Sequence, residues 1–179
     1  MERSSLEEVA TAETANIKQV RATTVNIFVL DTDAKLAAVM LCDKHIVKMV
    51  LESAQMLCTA YGEGAPYKSA YKNHPCTRWV QESQQNYNWL CTHAQAMATE
   101  YERRYKRTHK SEAVISFCSK LTTLPDIGLT PFAQAMPIEY KHTDAVVAYR
   151  NYYLGEKSKI AVWKYSPQPT WWLAQPVNA

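Results

Sequence analysis

A single, mainly α-helical domain is the fold class this sequence predicts, with room for one short N-terminal strand. Three observations carry it. The chain has 179 residues, 47% of them apolar and 21% charged, enough to bury one hydrophobic core and too apolar to stay unfolded. It contains only four glycines, which disfavours turn-rich β-sandwiches and glycine-rich phosphate loops. Capping residues precede stretches whose apolar positions recur with helical spacing.

Residues 1–25 are polar, rich in Glu, Thr and Ala, and are read as an extension outside a domain that spans 26–179. Asn26-Ile-Phe-Val-Leu30 is short and β-prone, an isolated strand or an extended lead-in. Asp33 suits the cap of a helix over Ala34–Leu41, and Asp43 that of a longer helix over Lys44–Ala60, ended by Gly62 and Gly64. A loop runs to Pro75. The next helical stretch covers Thr77–Arg107, weakest at Thr92-His93, and another covers Ser111–Leu121. Segment 122–137 carries three prolines and a glycine and reads as a structured loop. Thr143 or Asp144 caps a helix to Leu154, with Gly155 placed as its C-terminal glycine. Two adjacent tryptophans, Trp171 and Trp172, predict a tail that packs back on the domain.

Net charge is +3, compatible with a nucleic-acid partner without requiring one. The five cysteines have no regular spacing, which fits reduced thiols and a cytoplasmic protein better than a secreted disulfide scaffold. The N-terminal segment has no apolar h-region, and no run reaches the ~20 apolar residues of a membrane span. Three His/Cys neighbours (Cys42/His45, His74/Cys76, Cys91/His93) lack zinc-site spacing, so neither a metal nor a cofactor is expected.

Candidate chemistry concentrates on helix 44–60. Lys44, His45, Lys48, Glu52 and Gln55 fall in one wedge about 100° wide. They form either a solvated face with a Lys48–Glu52 pair or a phosphate site in which Lys44, His45 and Lys48 are cations and Glu52 is a base. His74, in Asn73-His-Pro-Cys76, is a second candidate base. Downstream, Trp79, Ser83, Asn86 and Tyr87 lie close on one helical face. With Asn73 they could hold a planar ligand by stacking and hydrogen bonds, or simply build an aromatic core. Arg103, Arg104, Lys106, Arg107 and Lys110, interleaved with Tyr101, Tyr105 and His109, suit a nucleic-acid backbone or a solvated helix end. Arg150, beside Tyr153, could clamp a carboxylate or pair with an acid.

Leu124-Pro-Asp-Ile-Gly128 resembles the hairpin of helix-hairpin-helix DNA glycosylases, with Asp144 following at a distance slightly shorter than that of their catalytic acid. Its first glycine is missing, and Pro131 interrupts the helix that should follow. Five blocks together resemble a family of phage proteins: Asn26-Ile-Phe-Val-Leu-Asp31, Cys42-Asp-Lys-His-Ile-Val-Lys48, Asn73-His-Pro-Cys76, Thr130-Pro-Phe-Ala-Gln-Ala-Met-Pro137 and Ala148-Tyr-Arg-Asn-Tyr-Tyr153. That family is similar to the α-glutamyl/putrescinyl thymine pyrophosphorylases, amino acid:DNA transferases related to DNA glycosylases. The resemblance covers residues 26 to 165. It implies a DNA partner, an amino acid or amine co-substrate, and displacement of a phosphate ester from an activated 5-hydroxymethyluracil. Base release by a glycosylase and non-enzymatic capture of a nucleotide or host factor are the alternatives.

Overall fold

The structure, a computed structural model, describes residues 25–121 and 123–174. The expected extension over residues 1–25 lies outside them except for Val25, which is buried. Seven α-helices and one 3-10 turn make up the regular structure, and no strand occurs among the described residues. The helices are α1 (Ala34–Val39), α2 (Asp43–Tyr61), α3 (Pro75–Glu82), α4 (Gln84–Tyr105), α5 (Glu112–Cys118), α6 (Ala145–Glu156) and α7 (Thr170–Leu173), with the 3-10 turn at Ile138–Tyr140.

Helices α2 and α4 form the centre. Helices α3 and α5 pack against both, and α1 lies on α4. Met49, Met56 and Leu57 of α2 and Leu90, Ala94 and Met97 of α4 are buried there. Burying such a side chain contributes about 1.5–3 kcal/mol.

The segment 25–30 is buried, yet it is not a strand, and Leu30 N–H turns back to the Phe28 carbonyl at 2.8 Å. It lies in a groove between helices, where no second extended chain is present to complete a ladder. Side chains satisfy its polar groups instead. Asn26 Oδ1 accepts from the N–H of Ile27 at 2.8 Å, and Arg150 Nε donates to the Leu30 carbonyl at 2.9 Å. His93 Nε2 stands 3.1 Å from the Ile27 carbonyl and Nδ1 2.9 Å from that of Ala34, and the buried ring, kept neutral, donates its one N–H to one of these two carbonyls of the lead-in and α1. Phe28 adopts φ 45°, a region that disfavours non-glycine residues and is held here by packing.

Asp33 caps α1 as expected, accepting from Lys35 and Leu36 N–H. The predicted 77–107 helix is divided, but at Ser83 rather than at Thr92-His93. Ser83 is extended (φ −148°, ψ 157°), and its Oγ caps α4 by accepting from Asn86 N–H at 3.0 Å. Proline at the first position of α3 and the cap formed by His74 fix that helix's start.

Gly155 is not a C-terminal glycine. It lies inside α6, where a Cβ would come within 2.6 Å of Tyr140 Cε1, so the glycine lets the 3-10 turn press against the helix. The tail does pack back. Trp171 Nε1 is 3.4 Å from Met40 Sδ, and both tryptophan rings meet Tyr153 edge-on. All five cysteines are free and buried. No helix of the described residues is long and apolar enough to cross a membrane.

Candidate active-site cleft

Most of α2 is surrounded by protein. Its exposed stripe is Lys44, Val47, Lys48 and Leu51, with Gln55 at the edge. The polar wedge read from the sequence is therefore rotated, leaving His45 and Glu52 inside. The cause is the lead-in segment, which covers that edge of the helix.

His45 is not a cation for a phosphate. Its ring stacks on Phe28 with centroids 4.4 Å apart, and its Nδ1 lies 2.7 Å from the Tyr153 hydroxyl. Tyr153 accepts from Cys42 N–H at 3.0 Å, which leaves the phenol proton for His45. Burial, reinforced by the ammonium groups of Lys157, Lys48 and Lys44, lowers the His45 pKa to about 3. The imidazole is neutral at physiological pH. Tyr153 is a buried partner of the ring rather than a group facing a ligand.

Glu52 is different. Its side chain is only 8% exposed, and Oε1 lies 3.1 Å from Nζ of Lys48, itself 45% exposed. Glu52 Oε2 is buried with no hydrogen-bond partner among the described residues. Burial raises the Glu52 pKa above the ordinary carboxylate value, while Lys48 and the Asn26 backbone N–H oppose the shift. A carboxylate whose proton affinity is raised, beside an ammonium group, is suited to passing a proton to and from its neighbour.

This pair lies in a cleft of about 630 Å³ between α2, the loop after it and the segment after α4. Tyr67, Tyr71 and Tyr101 line it, with Arg107, His109 and Lys110 on the side of the basic segment. Two contacts hold it together. Tyr67 Oη lies 3.2 Å from Ser111 Oγ, and His109 Nε2 lies 3.2 Å from the Val47 carbonyl. His109 Nδ1 accepts from Ser111 N–H, so Nε2 carries the proton and donates to Val47. The cleft thus joins two groups of residues that the sequence had left separate, the α2 pair and part of the basic run.

Other candidates have structural roles. Trp79 and Tyr87 are fully buried and offer no face to a flipped base. Trp79 packs on Trp89 and Phe132, and Tyr87 donates to the Cys118 carbonyl at 2.9 Å. Asn86 donates to the Trp79 carbonyl and to Thr130 Oγ1, both at 2.7 Å, and accepts from Thr130 N–H at 2.9 Å, which spends its hydrogen-bonding capacity on the loop. Ser83 is the α4 cap.

His74 Nδ1 accepts from Cys76 N–H at 3.2 Å, and His74 does not line the cleft. Asn73 is exposed and accepts from Arg78 at 3.4 Å. Arg150 donates to the Leu30 carbonyl, lies 3.6 Å from Asp31 and stacks over Trp171, so it holds the lead-in and the tail together.

The basic run divides. Arg104 is buried and bonds Glu100, Asp43 and the carbonyls of Leu41 and Val39. It cannot meet a phosphate. Arg103 forks onto Glu100 at 2.8 and 2.6 Å. Lys106 is the left-handed cap residue of α4, exposed like Lys44, Arg107 and Lys110.

The hairpin expectation fails on geometry. No helix follows Gly128, and residues 123–137 form an irregular stretch held by Gln84, Gln85 and Asn86 of α4. Asp144 caps α6 by accepting from Val146 and Val147 N–H.

Residues 25–113 match a family model described as pyrimidine dimer DNA glycosylase. No curated protein and no solved structure matches the chain. The matched stretch contains every residue lining the Lys48–Glu52 cleft. Through this helical core, about half its length, the chain is related to the pyrimidine dimer DNA glycosylase family.

Proposed function

We propose that the protein processes a pyrimidine in DNA, breaking its N-glycosidic bond in the Lys48–Glu52 cleft. The observation that carries the proposal is the buried carboxylate of Glu52, its proton affinity raised by burial, 3.1 Å from the Lys48 ammonium, in a cleft whose residues all fall inside the glycosylase-related stretch. Water attacks C1′ of the nucleotide as Glu52 takes a proton from it. The C1′–N1 bond breaks, its electron pair stays on the pyrimidine, and Lys48 donates a proton to the departing base. The proton then passes from Glu52 to Lys48 across their hydrogen bond. The products are an abasic sugar hydroxyl and a neutral base. Tyr71, 40% exposed on the lip, and Tyr101 supply aromatic surface for an unstacked base.

A second reading draws on the same cations. Lys48, Arg107 and Lys110 suit a departing phosphate, and Glu52 would deprotonate an incoming amine. The reaction would then place an amino acid or amine on a phosphorylated 5-hydroxymethyluracil. Arg150 would take no part as a carboxylate holder, because the lead-in occupies it.

The two readings differ in product. The protein is incubated with ultraviolet-irradiated, plain, hydroxymethyluracil-containing and phosphorylated hydroxymethyluracil-containing DNA plus mixed amino acids. Mass spectrometry then follows released bases and digested nucleosides. An abasic site with a matching free pyrimidine, or in irradiated DNA with the detached base still joined to its dimer partner, supports the first reading, and a nucleoside heavier by an amine supports the second. Unchanged DNA in every reaction of folded protein contradicts both.

A further inference from the structure

The cations around the cleft are more extensive than the cleft itself. Tyr105 Oη donates to the Asp43 carbonyl at 3.3 Å, and His109 lies against the Val47 carbonyl at 3.2 Å. These contacts lace residues 105–110 along the first turns of α2, beside the exposed Lys44 and Lys48. On the other side, Lys157 Nζ stands 4.7 Å from the Tyr152 ring centroid and 6.0 Å from that of Phe28, which stacks on His45 next in the chain to Lys44. The depressed proton affinity of His45, caused first by burial and then by Lys157, Lys48 and Lys44, agrees with those ammonium groups surrounding one point.

Several acids near this surface have partners of their own: Glu112 accepts from Gln95 Nε2 and Glu156 from Tyr140 Oη, both at 3.2 Å. Asp43 is taken by Arg104 and by the Lys164 N–H, Glu100 by Arg103 and Arg104, and Glu52 by Lys48. Among the described residues Lys44, Lys157, Arg107 and Lys110 form no ion pair. Arg107 and Lys110 line the cleft, and Lys44 lies one turn before Lys48 on the exposed stripe of α2, so cations run beside the cleft as the backbone of a bound polyanion requires.

We infer that Lys157, Lys44, Arg107 and Lys110 form a track that seats the sugar-phosphate backbone of duplex DNA, delivering a nucleotide to the Lys48–Glu52 cleft. The inference rests on the DNA reading of that cleft for its partner. It assigns a residue far from the basic run, Lys157 on the segment after α6, to the same contact surface.

The test is fluorescence anisotropy of a short labelled duplex against salt, from about 50 to about 200 mM. Each phosphate contact contributes roughly 0.9 to the slope of log affinity against log salt, so four contacts weaken binding by roughly two orders of magnitude over that range. Lys44→Gln, Lys157→Gln, Arg107→Gln and Lys110→Gln should each reduce the slope by about 0.9. Lys35→Gln is the control. It lies on α1 and lines a separate depression with Cys91, Gln95 and Thr99, outside the Lys48–Glu52 cleft.

A slope unchanged in the four variants, or reduced as much by Lys35→Gln, overturns the track. So does equal binding of an acidic peptide in place of duplex. The same panel is run for base release. Turnover with unaltered salt slopes rejects the track and keeps the cleft chemistry, whereas altered slopes without turnover on any DNA keep the track and reject the chemistry.

Discussion

Arg104 gives the sharpest stability prediction, because the sequence places it among phosphate-binding cations and the structure places it in the core. Its side chain is 0% exposed. Its guanidinium donates to Glu100 at 2.7 Å, to Asp43 and the Leu41 carbonyl at 2.9 Å, and to the Val39 carbonyl at 3.1 Å. Arg104→Met fills a similar volume but leaves those acceptors without this donor. Breaking a buried pair in this way costs about 3–5 kcal/mol. The lower half of that range is expected, since Glu100 keeps Arg103 and Asp43 keeps the Lys164 N–H. At about 2–4 °C per kcal/mol for a chain of this size, Tm should fall by roughly 6–16 °C. Arg104→Lys retains the charge without the planar fork and should fall between. The assay is urea and thermal denaturation by tryptophan fluorescence, with duplex binding measured on the folded protein. Wild-type melting combined with weakened DNA binding would refute the reasoning and return Arg104 to the surface run.

Other predictions follow from single contacts. Tyr153→Phe removes the hydroxyl shared by Cys42 N–H and His45 Nδ1 and should cost about 1–3 kcal/mol by denaturant titration. His45 has a folded pKa of about 3 against 6.5 unfolded, so the unfolded chain binds the extra proton between those values. The stabilisation is therefore complete above pH 6.5 and declines as pH falls toward 3, by up to about 1.4 kcal/mol per pH unit. His45→Gln should flatten that decline between neutral and acid denaturation curves, and an unchanged slope would show that His45 is not its source. Gly155→Ala forces Tyr140 away from a Cβ that would lie 2.6 Å from its Cε1, and should destabilise by about 1–3 kcal/mol. No change in Tm would mean that the 3-10 turn moves aside freely.

Helical class, the Asp33 and Asp144 caps and the docked tryptophan tail were legible because each depends on neighbours in sequence. Local reasoning failed where a distant segment decides the environment. Periodicity put His45 and Glu52 on the same polar wedge as Lys48, but it could not know that residues 25–30 would cover one edge of α2. The same burial turned His45 into a neutral stacking partner and Glu52 into a carboxylate with raised proton affinity. Charge runs were similarly blind. Arg104 and Arg107 differ by three positions, yet one is buried among acids and carbonyls and the other lines the cleft. Tyr67 and Tyr71 belong to a loop whose approach to α2 depends on Thr59 Oγ1, which donates to the Ala70 carbonyl at 2.8 Å and accepts from its N–H at 2.9 Å. Their one local signal was two tyrosines in an otherwise polar loop. The break at Ser83 was within reach of sequence, since a serine followed by Gln84, Gln85 and Asn86 has the composition of a helix start.

The most direct test of the central claim is single-turnover release of a pyrimidine base from damaged or modified duplex by the wild-type protein and by Glu52→Gln. The substitution keeps the shape of a buried side chain and removes its charge, its ion pair with Lys48 and its ability to exchange a proton. Wild-type protein should release the base and leave an abasic site. Glu52→Gln should bind the same duplex at least as tightly as wild type, melt within a few degrees of it and release base about 10²–10⁴-fold more slowly. Base release at the wild-type rate by a folded Glu52→Gln protein would remove Glu52 from the chemistry and with it the assignment of this cleft as the active site.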